Sequence, residues 1–262
     1  MRMINWSEYP GRLLTSGLAI ALTTAPAWAC ADWPPPSYEA VYDLYMDSKL
    51  RGETRVRFVR DGQHWSFANE AEGLSGLAGF LGAETVESAA GTWEDGMVLP
   101  EEFSHRYKIS FRKDGWSARF DWKNGKVQTT HKDERPLFPL EKGTVDPLGL
   151  TLAMQLRLDQ GLETWEIPIV DEDKIDLQRF QALKTEPMET SLGCLEAVEV
   201  ERVRENSTRY SSVWFAPQLD FITVRMVHGK RDGHEFEIRI RELTMAGDAV
   251  APVDRCPERP GS

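Results

Sequence analysis

Along much of this chain apolar side chains recur at every second position, and few folds accept that spacing. Thr54, Val56 and Phe58 alternate with Arg55 and Arg57, and Phe236, Ile238 and Ile240 alternate with Glu235, Glu237, Arg239 and Arg241. Tyr107, Ile109 and Phe111 alternate with Lys108, Ser110 and Arg112, and Ala118, Phe120 and Trp122 with Arg119 and Asp121. Successive side chains of a strand point to opposite faces, so each run has one buried and one wet face, the habit of antiparallel sheets. Asp61-Gly62, Asp114-Gly115, Asn124-Gly125 and Asp232-Gly233 fall between such runs. They read as hairpin reversals, where positive φ is needed. Further strands are expected at 165–170, 175–185, 195–203, 209–215 and 219–227. No repeat of fixed period is present, which argues against a propeller or solenoid.

One segment breaks the alternation. Asp146-Pro147 reads as an N-cap with proline at the first helical position. Leu148, Leu152 and Leu156 follow at helical spacing with Met154 and Leu158 beside them, and Gly161 is placed to end the helix. A long antiparallel run with one apolar helix at about 146–160 predicts a mainly β fold. Its form is a curved antiparallel sheet or half-open β-barrel with the helix packed on the concave face. The glycine-rich stretch Leu74 to Leu81 reads as a helical turn or a mobile apolar loop.

The N-terminus reads as an export signal. Arg2 and Arg12 give a positive start, Leu13 to Leu22 is almost wholly apolar, and Ala27-Trp28-Ala29 is a small-x-small cleavage site. The apolar run is shorter than the roughly 20 residues of a spanning helix, and no later stretch is long enough. The chain therefore divides into a signal peptide (1–29, cleavage between Ala29 and Cys30), a Pro-rich tail (30–36), one β-rich domain (37–245) and a C-terminal tail (246–262). A periplasmic product is expected, with no transmembrane segment. Trp28 suits ordinary cleavage better than lipoprotein processing; the alternative is a lipid anchor through Cys30. Cleavage removes two arginines and one glutamate, taking the formal charge from −11 to −12. So acidic a chain argues against nucleic acid as a partner, since phosphates offer it no counter-charge.

Three cysteines in an oxidising compartment permit one disulfide. Cys30 and Cys256 lie in the two tails, so a Cys30–Cys256 bridge is the simplest pairing. Cys194 then reads as a small buried hydrophobe. The histidines (His64, His105, His131, His228 and His234) show no zinc-site spacing, so no metal or cofactor is implied. Gly73-Leu74-Ser75-Gly76 lacks the full nucleophile elbow, and its glycines precede no lysine that would mark a phosphate loop. Sequence therefore names no catalytic residue.

The aromatics point elsewhere. Tyr42, Phe58, Trp65, Trp122 and Trp214 fall on the apolar faces of expected strands. Core packing accounts for them simply. The functional alternative is that one short helix leaves the concave face partly unfilled, as an apolar cavity lined by these residues and Leu152.

Several motifs resemble a bacterial family, that of domain of unknown function 3108. They are Tyr38-Glu39-Ala40-Val41-Tyr42 with Gly52-Glu53, Asp146-Pro147-Leu148, Ser191-Leu192-Gly193 to Val203, and Trp214-Phe215-Ala216-Pro217 with Leu219-Asp220-Phe221. The resemblance runs from about Tyr38 to Leu243, departing at Thr223 and Cys194. It implies one exported β-rich domain and carries over no catalytic residue. Three readings follow: a non-enzymatic binding protein holding an apolar small molecule, lipid or envelope protein; a structural envelope protein with a packed core; and an envelope hydrolase assembled only in three dimensions.

Overall fold

Hairpin follows hairpin along the chain, as the alternation requires. The computed structural model describes residues 33–73 and 83–257. Its strands are β1 (Tyr38–Met46), β2 (Lys49–Asp61), β3 (His64–Gly73), β4 (Glu84–Glu94), β5 (Met97–Ile109), β6 (Arg112–Asp121), β7 (Lys126–His131) and β8 (Leu137–Pro139). Helix α1 (Pro147–Asp159) intervenes, followed by β9 (Thr164–Val170), β10 (Ile175–Thr190), β11 (Gly193–Val203), β12 (Arg209–Ala216), β13 (Ile222–Lys230), β14 (Glu235–Met245) and β15 (Asp248–Ala249). They form one 15-stranded antiparallel sheet in which β1 pairs with β14 and the edges are β8 and β9. The Leu74–Leu81 stretch and Cys30 lie outside the described residues.

The sheet curls without closing. No ladder joins β7 or β8 to β9; the seam is spanned by the chain that leads into the helix. Leu140 N–H donates to the Gly125 carbonyl at 2.9 Å, and Val145 exchanges backbone hydrogen bonds with Pro168 and Val170 at 3.0 and 2.9 Å. The Thr129 hydroxyl donates to the Glu172 carbonyl at 2.7 Å, and His131 pairs with Glu172 across the same seam.

Helix α1 lies on the concave face where the leucine spacing places it. Asp146 Oδ1 accepts from Leu148 N–H at 2.8 Å and Gly149 N–H at 2.9 Å, with Pro147 opening the first turn. At the other end Gly161 takes φ +70°. Its N–H donates to the Leu158 carbonyl and that of Leu162 to Arg157, the paired bonds of a Schellman stop. Leu148, Leu152, Ala153, Met154, Gln155, Leu156 and Leu158 are all buried, so the helix is covered around most of its circumference. That is a core helix, not a surface one. Beside it Tyr38, Phe58 and Phe67 pack with centroids 5.5 to 6.3 Å apart, and Trp33 meets Trp93 edge-on at 5.4 Å.

Several expectations need correction. The β5–β6 reversal is at Ser110-Phe111, not at Asp114-Gly115, which lies inside β6 opposite Tyr107 and Arg106. Asp114 instead accepts from Gly115 N–H at 2.9 Å and contacts His131 at 3.0 Å. The hairpin therefore runs beyond the covered part of the sheet. Tyr107 and Ile109 are exposed and Phe111 wholly so, while Phe103 further back is buried. Residues 217–219 form a 3-10 turn, and the strand expected from 219 begins at Ile222.

The disulfide expectation is also overturned. Cys256 is bonded to Cys194, not to Cys30. The C-terminal segment folds back over the sheet: Val253 N–H donates to the Leu192 carbonyl, and Cys194 N–H to Asp254. A Cβ on Gly193 would stand 2.2 Å from the Val253 carbonyl oxygen, so only glycine lets this segment cross. Distance along the chain had suggested joining the tails, but the tail returns to the strand that carries Cys194.

Candidate functional site

Above the helix the sheet leaves a cavity of about 630 Å³. Its wall is a cross-strand row. Val200 of β11 pairs with Val213 of β12, Val213 with Met226 of β13, Met226 with Ile238 of β14, and Ile238 with Leu44 of β1. Side chains opposed across a ladder stand close enough to pack, so five strands contribute one continuous apolar band. Tyr38 and Tyr42 extend the lining along β1, Phe67 adds to it from β3, and Leu148, Leu150 and Met154 of α1 form the floor. Burial raises the phenol pKa of both Tyr38 and Tyr42, so both remain protonated. The Tyr42 hydroxyl donates to the Thr223 carbonyl at 2.9 Å.

Two positions along the same strands the chemistry changes. Val200 gives way to Arg202, Val213 to Ser211, and Met226 to His228, all of them still lining the cavity. Arg202 Nη2 donates to Asp176 Oδ2 at 2.9 Å, and Arg204 Nη2 to Ser211 Oγ at 3.2 Å. Ser211 Oγ lies 2.6 Å from His228 Nδ1. Burial, then the cations Arg204, Arg209 and Arg202, pushes the His228 pKa down. Across the cavity the Thr54 hydroxyl donates to Asn69, and Asn69 Nδ2 donates to Glu87 Oε2 at 2.9 Å. His105 Nδ1 lies 2.9 Å from Glu87 Oε1, so both oxygens of this carboxylate are engaged.

Of the residues that sequence nominated, Tyr42 lines the cavity. Phe58, Trp65 and Leu152 are buried in the packed core beside it. Trp122 stands in the turn after β6, its indole N–H donating to the Pro100 carbonyl at 2.6 Å. Trp214 is on the opposite face from Val213, with the Arg225 guanidinium 4.6 Å above its ring. Val213 and Phe215, two positions apart on β12, share the inward face, so the alternation itself puts Trp214 on the other one. Sequence reasoning missed Phe180, Val213, Met226, Arg202 and Arg204. Their signal was present: Arg202 and Arg204 continue the inward phase of Val200, placing charge where an apolar side chain is expected.

A larger groove of about 850 Å³ lies over β2 to β7. Serines and ionised side chains such as Ser66, Ser88, Ser104, Arg57 and Arg119 dominate its lining. The smaller cavity combines an apolar wall with a few convergent polar groups, the usual composition of a small-molecule site.

An incompletely closed antiparallel half-barrel around one buried helix, with an apolar cavity on its concave face, defines the class of protein. The chain belongs to the family described as protein of unknown function DUF3108, whose model matches residues 38–239. No curated protein matches it significantly. Among solved structures, a β-barrel-like DUF1849 protein from Brucella abortus is similar, with TM-score 0.53 and 12% identity over 80% of this chain and 98% of that one. A candidate lipoprotein from Parabacteroides distasonis gives TM-score 0.35 and 10% identity over 80% and 95%. A candidate exported protein with a YmcC-like fold from Bacteroides fragilis gives 0.29 and 11% over 79% and 95%.

Proposed function

We propose that this is an exported envelope protein that holds an apolar ligand in the concave face of its sheet. The observation that carries the reading is the 630 Å³ cavity whose wall, from Val200 through Leu44, is apolar and which the helix leaves unfilled. A packed-core structural protein has no use for such a space, because an empty apolar cavity forfeits dispersion contacts. A hydrolase would have to rest on the Ser211–His228 contact. Among the described residues no carboxylate orients His228, and nearby arginines disfavour the imidazolium that a serine mechanism forms.

Ala71 lines the cavity from β3, so Ala71→Trp should fill the space. Wild type should bind an apolar fluorescent probe one to one, and the variant should bind it at least about tenfold more weakly at an unchanged melting temperature. Equal affinity would place the probe elsewhere and end the reading.

Export is supported by the N-terminal segment and by the Cys194–Cys256 disulfide, which needs an oxidising compartment. We place the mature protein in the periplasm, starting at Cys30 with a free amine. Intact mass decides this: a diacylglycerol on Cys30 would make it lipid-anchored, and a retained leader would refute cleavage.

A further inference from the structure

We propose that the ligand is an amphiphile with an anionic headgroup, its chain against the apolar row and its carboxylate or phosphate held by Arg204 and Arg202 at the polar end. The inference rests on the binding reading above and adds the chemistry of the headgroup. Its basis is the change along β11, β12 and β13, from Val200, Val213 and Met226 to Arg202, Ser211 and His228 within one cavity, while β14 stays apolar with Phe236. A single-chain ligand lying along the strands meets hydrocarbon first and cations second.

Arg204 is the informative residue. It follows the end of β11, is half-buried, and lines the cavity. Its only hydrogen bond among the described residues goes to a neutral hydroxyl, Ser211 Oγ, and its buried Nη1 has no partner. No carboxylate among the described residues lies within ion-pair distance of it; Asp176 is taken by Arg202. Burial, with Arg202 and Arg209 close by, disfavours its charged form. A guanidinium cannot escape by losing its proton at ordinary pH, so a desolvated and unpaired one is costly until an anion arrives. Its planar fork suits carboxylate and phosphate, which accept two N–H bonds at once. Glu87 is held by Asn69 and His105, so among the described residues the one carboxylate acting on the arginine corner is Asp176, which pairs with Arg202 and reaches Arg204 only at longer range.

The test compares probes of one chain length below their micellar concentrations: an alkyl carboxylate, an alkyl phosphate, the neutral alcohol and the ammonium. Wild type should bind at least one of the two anions about tenfold or more tightly than the alcohol, with the ammonium weakest, and which anion is preferred identifies the headgroup. Arg204→Gln should bring the anions down to the alcohol's affinity and leave the alcohol unchanged, while Arg204→Lys should recover part of the preference. Arg202→Gln serves as the second variant, with melting curves confirming that each is folded. Inorganic phosphate alone should not displace the alkyl anions; full displacement would mean an anion site without a chain. Equal affinity for all four headgroups would overturn the inference while leaving the apolar cavity intact. No binding of any probe would remove the cavity reading itself.

Discussion

Asp146 shows how a residue can be legible in kind and hidden in circumstance. Its identity, followed by proline and leucine, marks an N-cap, and the cap forms as expected. That its carboxyl is wholly buried, with Oδ2 unpartnered, depends on strands far away in sequence. Burial pushes its pKa up to about 7, against the hydrogen bonds from Gly149 and Leu148 that favour the anion. The folded protein therefore holds a proton that the unfolded chain releases near its ordinary value of about 3.9. This group's contribution is fully present below that value and is lost as pH rises towards 7. Asparagine keeps the acceptor oxygen and removes the titration. Asp146→Asn should then flatten the decline in urea midpoint between about pH 4 and 7 relative to wild type. The same pH profile in both proteins would show that the carboxyl does not titrate in that window.

At the scale of elements, local chemistry was readable wherever the chain itself determines it. The helix has its start in Asp146-Pro147 and its stop in Gly161, and the leucines between point to the sheet. Asp61-Gly62 and Asn124-Gly125 lie at reversals, each glycine with positive φ. Asp114-Gly115 is not at one, because the partner register already sets the reversal at Ser110 and the aspartate serves His131 instead. The return of residues 253–256 over β11 has no local signal beyond Gly193. For the helix, Leu152 is fully buried, and truncating it to alanine should cost about 2–5 kcal/mol in denaturant unfolding. A loss below about 1 kcal/mol would mean that the site collapses around the change and that the helix is not fixed in the core.

For the whole molecule, alternation predicted a curved antiparallel sheet over one helix, and the structure is an open 15-stranded sheet of that kind. One helix set against so many strands left two readings of the concave face, a filled core and an apolar cavity. Where the space lies was not readable. It depends on which strands stand side by side, and the pairing of β1 with β14 joins residues about 200 positions apart. Hence Tyr42 could be nominated from sequence, whereas Val213 and Met226, which line the same cavity from β12 and β13, could not.

The same geometry supplies its own reporters. Met154 of the helix and Met226 of the wall both line the cavity, whereas Met97 at the start of β5 and Met188 of β10 do not. Methyl resonances of the methionine-labelled protein, followed while an alkyl carboxylate is added, test the central claim most directly. Saturable shifts of Met154 and Met226 with Met97 and Met188 unmoved are the predicted result. Shifts confined to Met97 or Met188, or none at all, would contradict a ligand site on the concave face.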